Sequence, residues 1–109
     1  MNLSDIMNQL DLEEVVKTTQ EKEVNNVYIG DLLSIVMSKS QENDIWITIQ
    51  THVNVIAVAA LVGISAVIVV EGMKVEQDTI EKAKEMNIPI YTTSLSAYEI
   101  ACKLNELGI

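Results

Sequence analysis

The chain reads as a single α/β domain with a mostly parallel sheet, built from βαβ units with helices packed on it. Two observations carry that expectation. From Asp44 to Gly72 the residues run strand, polar turn, apolar helix, glycine, strand. A helix this short between two apolar strands brings the chain back beside its first strand, giving a parallel pair and a right-handed crossover. A further short strand at Ile88–Tyr91 follows a helix-patterned stretch, so the unit is extended by one more step.

The elements follow in order. Leu3, Ile6, Met7 and Leu10 recur at helical spacing, with Ser4 expected as N-cap and Asp5 in the first turn. Leu12–Thr18 suits a short strand, Thr19–Glu23 a polar turn, and Val24–Ile29 a second strand. Gly30-Asp31 leads into a short helix carrying Leu32, Leu33, Ile35, Val36 and Met37, and Ser38–Asn43 is a polar loop. The strand Asp44–Ile49 ends in the turn Gln50-Thr51-His52. The helix Val53–Val62 stops at Gly63, Ser65–Val70 forms the next strand, and Glu71-Gly72 turns it. Met73–Val75 link to a helix over Glu76–Met86, with Ile80 and Ala83 inward and Asn87 as its C-cap. Glu81, Lys82, Lys84 and Glu85 make its solvated face. Pro89 places Ile88–Tyr91 at a sheet edge or a strand start. Ser96 and Glu99 form a capping box for a last helix to Leu107, ended by Gly108. Three parallel strands are expected, at 45–49, 66–70 and 88–91.

The 109 residues suffice for one domain, 1–109, and are too few for two. With 49% hydrophobic residues but no Phe, one Trp and three Tyr, the core must be aliphatic. The net charge of −9 argues against nucleic acid and anionic membrane surfaces as partners. All 7 cationic side chains are Lys, so bidentate Arg clamps on phosphate are excluded. Any phosphate would rest on backbone N–H groups, hydroxyls or a Lys. Cys102 is the only cysteine, read as a small buried thiol that fits a reducing, cytoplasmic compartment. Asp5 stands where a signal peptide would be basic, so none is expected. The apolar run Val53–Val70 reaches the length of a short membrane span, roughly 17 residues or more. Asn54, Gly63 and Ser65 interrupt it, and it changes from Ala-rich to β-branched, as a helix followed by a buried strand would.

Ligands of parallel sheets bind beyond the carboxyl ends of the strands. The candidate ligand-binding residues are therefore Gly30 and Asp31; Gln50, Thr51, His52 and Asn54; Glu71 and Gly72; and Thr92, Thr93 and Ser94. The imidazole of His52, the only histidine, could hydrogen-bond a base or sugar or act as a general base. It could equally satisfy local backbone groups at a helix start. Capping and turn propensity offer similar structural readings for Asp31 and the Thr-Thr-Ser turn. Trp46 is read as core or interface packing. No catalytic set is expected: Cys102 is mid-helix and far from His52, and the carboxylates at 13–14, at 21 and 23, and at 76, 78 and 81 read as exposed faces. No spacing suits a metal, and neither a Gly-x-Gly-x-x-Gly nor a Walker lysine pattern occurs.

Several segments together carry a family resemblance. They are Val27-Tyr-Ile-Gly-Asp-Leu-Leu-Ser34, Asp44-Ile-Trp-Ile-Thr-Ile-Gln-Thr-His-Val-Asn54, Val67-Ile-Val-Val-Glu-Gly72, Ile88-Pro-Ile-Tyr-Thr-Thr93 and Ser96-Ala-Tyr-Glu99. Over 24–109 the chain resembles the DRTGG domain family, and its Leu107-Gly108-Ile109 tail resembles the stand-alone members. Two places depart: Glu21-Lys22 where the family expects Asp-Arg, and Val70-Glu71-Gly72 where it expects Thr-Gly-Gly. The resemblance implies a regulatory or ligand-binding module, found beside HPr kinase, phosphotransacetylase or CBS-pyrophosphatase modules and often dimeric. The expected function is non-catalytic sensing of a small ligand, an adenine-type nucleotide or another metabolite, with no cofactor and with a partner enzyme. The alternatives are a protein-interaction or dimerisation module, and a small transferase or hydrolase using His52. A homodimer is expected on a second ground. The helix Val53–Val62 has only Asn54 as a polar residue, so it needs cover on more than one side, from the N-terminal segment or a second copy.

Overall fold

The computed structural model describes all residues, Met1–Ile109. The elements are α1 (Leu3–Met7), β1 (Glu13–Val16), β2 (Asn26–Ile29), α2 (Leu33–Lys39), β3 (Asp44–Thr48), α3 (Asn54–Val62), β4 (Ala66–Val69), α4 (Gln77–Met86), β5 (Ile90–Thr92) and α5 (Ala97–Glu106). They form one five-stranded sheet in the order β1-β5-β4-β3-β2. The α/β architecture with a mostly parallel sheet is the expected one. The parallel set is larger than the sequence reading held, because β2 pairs parallel to β3 and makes a fourth member. Only β1 runs antiparallel, beside β5.

The topology follows from how the crossovers step. From β2 to β5 each connection moves one strand in the same direction, and crossovers of one hand then land on one face. Accordingly Val36 of α2, Val55, Ile56, Val58 and Ala59 of α3, and Ala83 of α4 share a core with Trp46, Val67, Val69 and Ile90. The opposite face is covered by the two terminal helices. Leu3, Ile6 and Met7 of α1 and Ile100 and Leu104 of α5 pack on Ile45, Ile47, Ala66, Ile68 and Tyr91. Strands β3 and β4 are buried at every position, which is why they read as continuous apolar runs in place of alternating ones. The apolar run 53–70 is helix α3 followed by strand β4, and no helix is long and apolar enough to cross a membrane.

Local details correct the sequence reading in places. The N-cap of α1 is Asn2, whose Oδ1 accepts from the backbone N–H of Ser4 and Asp5 at 2.9 and 3.4 Å; Ser4 lies inside the helix. Asp31 is not the cap of α2, because Leu32 holds that position. Cys102 is half-buried rather than enclosed. Pro89 immediately precedes β5, an inner strand, so the strand-start alternative holds and the edge alternative does not. The capping box at Ser96 and Glu99 is formed in both directions, and Asn87 takes the left-handed C-cap conformation with φ 57°.

Helix α3 is flanked by α2 and α4, and the N-terminal segment lies on the other side of the sheet. Its outer stripe stays open: Asn54 and Ala57 are exposed and Leu61 is 72% exposed.

Candidate functional site

Because β2 to β5 run parallel, all four carboxyl ends meet at one margin of the sheet. The two halves of that margin differ sharply. At the β2–β3 half the polar residues are already engaged with one another. Asp31 Oδ1 accepts from the Thr48 hydroxyl and from the Ile49 N–H, both at 2.9 Å. The Gln50 side-chain amide donates to the Asp31 carbonyl at 3.0 Å. Gly30 gives its carbonyl to the Trp46 indole N–H at 2.8 Å. A Cβ on Gly30 would stand 3.0 Å from the Tyr28 ring and 3.2 Å from Val36, a tight fit in which those side chains would have to give by a few tenths of an ångström. Thr51 is tied to the start of α4: its hydroxyl donates to Glu76 at 3.3 Å and its carbonyl accepts from the Thr79 hydroxyl at 2.8 Å.

His52 is exposed, and its Nδ1 accepts from the Asn54 backbone N–H at 3.1 Å. A neutral ring accepting at Nδ1 carries its proton on Nε2. The Nδ1 contact gives His52 a local capping role at the start of α3. Asn54 is exposed at the first residue of α3.

At the β4–β5 half the margin opens into a cleft of about 580 Å³. Its lining comes from Asp11, Glu13 and Val15 around β1, from Gly72, Met73, Lys74 and Val75 after β4, from Ile80 of α4, and from Thr92, Thr93 and Ser94. The topology explains the opening. After β5 the chain crosses to the opposite face with α5, so no fourth helix covers the β5–β1 pair on the α4 side. One wall is the turn Val70–Met73, in which Glu71 and Gly72 both adopt left-handed backbone, φ 64° and 68°. Two consecutive positive φ values define a type I′ geometry, which glycine enters freely and Glu71 enters at a cost of roughly 1–2 kcal/mol. A Gly at position 71, as the family pattern expects, would be unstrained; the turn nonetheless forms with Glu71. The turn docks on the next loop, Glu71 N–H donating to the Leu95 carbonyl and Gly72 N–H to the Thr93 carbonyl, both at 2.9 Å.

The expected site residues therefore separate. Gly72, Thr92, Thr93 and Ser94 line one cleft, with Glu71 in the turn bordering it. Gly30, Asp31, Gln50, Thr51, His52 and Asn54 lie outside it, in the braced half of the margin. Asp11, Glu13 and Lys74 are cleft residues that sequence reasoning missed. Glu13 pairs directly with Thr92 across the β1–β5 ladder, so its position depends on a pairing with no local signature. No three His, Cys, Asp or Glu side chains converge as a metal site would require.

Glu21 and Lys22, the other departure from the family pattern, lie by a smaller hollow of about 240 Å³ on the α1 side, with Glu14 and Tyr91. Burial lowers the pKa of Lys22. Tyr91 donates its hydroxyl to Glu14 at 3.3 Å. Burial, then the charge and hydrogen bond of Glu14, push its pKa up to about 12. An acid whose folded pKa is raised favours folding in its protonated form. Its contribution is complete below the free value of about 10 and is lost as the pH climbs from there toward 12. In Glu14→Gln the Tyr91 midpoint should fall, yet stay above that of a free tyrosine because burial is the larger cause. NMR titration of the assigned Tyr91 ring checks this; an unmoved midpoint would remove Glu14 from the explanation.

Parallel strands ending in a half-open polar cleft define a small α/β domain with a mostly parallel sheet. The profile of the DRTGG domain matches residues 5–107, nearly the whole chain, and the chain belongs to that family. Among curated proteins none matches it. Five chains of solved structures do match. One is the crystal structure of the CBS and DRTGG domains of the regulatory region of Clostridium perfringens pyrophosphatase, complexed with its activator diadenosine tetraphosphate. It superposes with a TM-score of 0.77 at 21% identity, covering 94% of this chain and 45% of that one. The chain thus spans less than half of that regulatory region, and the likeness at this identity is one of fold.

Proposed function

We propose that this chain is a non-catalytic regulatory domain that binds a small metabolite, an adenine-type nucleotide, in the cleft at the carboxyl ends of β4 and β5. Its occupancy would be conveyed to a partner enzyme in a reducing, cytoplasmic setting, which the single half-buried Cys102 suits. The observation that carries this reading is the state of the cleft's polar groups. The side chains of Asp11, Glu13, Lys74, Thr92 and Ser94 make no hydrogen bond or ion pair within the chain, whereas those at the β2–β3 half are spent on each other. Concave sites with a partly apolar lining and a few convergent polar groups are what small ligands occupy. The structural neighbour being a nucleotide-activated regulatory region supports the choice of ligand class.

A ligand at 100 times its dissociation constant stabilises by about 2.7 kcal/mol. For a domain of this size the melting temperature should then rise on the order of 10 °C. A thermal-shift panel of nucleotides and central metabolites checks this, and no shift at millimolar concentration would overturn the reading.

A second reading, an interaction module that pairs with another copy of itself, is favoured by the β2 side of the molecule. Strand β2 is a sheet edge with one side unpaired, and beside it Leu32 is 65% exposed, with Ile29, Ile35, Met37 and Ile49 also exposed. Edges of this kind invite pairing. Light scattering at micromolar concentration should give twice the 12.1 kDa chain mass. The double variant Leu32→Glu, Ile35→Lys should run as the monomer. A wild-type mass equal to that of one chain would remove this reading.

A further inference from the structure

Resting on the reading that this cleft holds an adenine-type nucleotide, we propose that it recognises the nucleoside. Ribose hydroxyls donate to Glu13 and Asp11, the base lies on the apolar floor, and the phosphates stay outside.

Three observations converge. The first is the kind of hydrogen-bonding capacity on offer. Ionised carboxylates accept and never donate, so their natural partners are donors such as a vicinal diol. An acidic side chain on a ribose hydroxyl is a common solution in α/β nucleotide sites. Glu13 stands directly opposite Thr92 on the ladder, which puts its carboxylate beside a hydroxyl on the cleft side of the sheet. The second is the floor: Val15, Ile80 and buried Val75 supply an apolar surface that a flat base can cover.

The third observation decides where the phosphates go. A phosphate site is usually built from free backbone N–H groups, Arg, or a convergence of cations. Here four of the amides bordering the cleft are spent. Glu71 donates to Leu95, Gly72 to Thr93, Met73 to Val70 and Thr93 to Val69. Those of Lys74, Val75 and Ser94 donate to nothing within the chain, so the sign of the site's charge is what decides. The chain has no Arg, and Lys74 is the one cation in a cleft that holds two carboxylates. A triphosphate entering it would meet a site of its own sign on a protein of net charge −9. A neutral nucleoside meets no such opposition.

Calorimetric titration of the full chain with adenosine, 2′-deoxyadenosine, AMP, ATP and tripolyphosphate, in low-salt buffer with EDTA, tests this. Adenosine should bind most tightly, with AMP intermediate and ATP about tenfold or more weaker. The gap should narrow at physiological salt, where the Debye length falls to about 8 Å. Removal of the 2′-hydroxyl should cost about tenfold, because it leaves a carboxylate acceptor unmatched. Glu13→Gln should weaken adenosine binding and narrow the adenosine–ATP gap, while Ser4→Ala, by the other hollow, should change neither. Glu13 is exposed and its side chain bonds nothing within the chain, so an unchanged melting curve is expected for that variant. ATP or tripolyphosphate binding more tightly than adenosine would overturn this inference and leave the nucleotide reading standing. Adenosine binding that is untouched by both Glu13→Gln and Asp11→Asn would also overturn it. No binding by any of the five would remove both.

Discussion

Trp46→Ala should be the most damaging single substitution in this chain, costing about 4–6 kcal/mol. Trp46 is the largest fully buried side chain, at 0% exposure, in the middle of β3. Truncating a buried aromatic to Ala costs about 3–5 kcal/mol through lost transfer energy and a residual cavity. The indole N–H also donates to the Gly30 carbonyl, and leaving that acceptor unsatisfied adds about 1 kcal/mol. A domain of this length has roughly 5–15 kcal/mol in total, so the variant should be marginal or unfolded at 37 °C. Urea denaturation followed by far-UV circular dichroism measures it, since the only tryptophan is gone. Trp46→Phe keeps most of the ring and loses the donor, and should cost roughly 1–2 kcal/mol. A loss below 1 kcal/mol in the Ala variant would mean that the two layers do not lock through this side chain.

The placement of Trp46 also shows which parts of the fold can be read from residues alone. Strands β3 and β4 are buried on both faces, so they stand out as apolar runs, and the polar turn and glycine between them mark the helix. Their shortness forces a parallel crossover. Strand β2 is equally parallel, but it is an edge with exposed ends, and its mixed burial hides its membership of the sheet. The antiparallel β1–β5 pair is harder still. Glu14 and Tyr91 meet across a separation of 77 residues, and no turn or repeat announces the pairing. Half of the cleft inherits that difficulty. Gly72 and Thr92–Ser94 follow strands whose direction is legible, so a site can be expected there. Asp11 precedes and Glu13 opens a strand whose neighbour is not legible, and a strand that begins with two exposed carboxylates looks like any solvated edge. The N-cap of α1 shows the same limit at short range. Asn2 and Ser4 are both good capping residues, and what favours Asn2 is a tertiary tie, the Leu3 N–H donating to the Lys22 carbonyl at 2.8 Å.

Asp31→Ala separates a binding role from a bracing one, and the bracing role predicts a large effect on stability. The side chain is exposed, so a surface carboxylate with no other task would cost little to remove. Its Oδ1, however, accepts from two donors of β3 and its exit, the Thr48 hydroxyl and the Ile49 amide. Thr48 is 1% exposed with Asp31 in place, so without that carboxylate its hydroxyl must find water in the space left behind or go unpaired. Bonds to a charged acceptor contribute about 1.5–3 kcal/mol, and a stranded buried donor costs about 1–3 kcal/mol. Allowing for water reaching the Ile49 amide, Asp31→Ala should lose about 2–4 kcal/mol. Asp31→Asn retains the accepting oxygen and should lose about half as much or less. The midpoint of urea unfolding should move at constant slope, since no new surface is exposed. Nothing ties Asp31 to the cleft, so nucleoside affinity measured on the folded Asp31→Asn protein should equal that of wild type. If the Asn variant instead kept its stability and lost the ligand, Asp31 would be a binding residue, and the site would lie at the β2–β3 half of the margin.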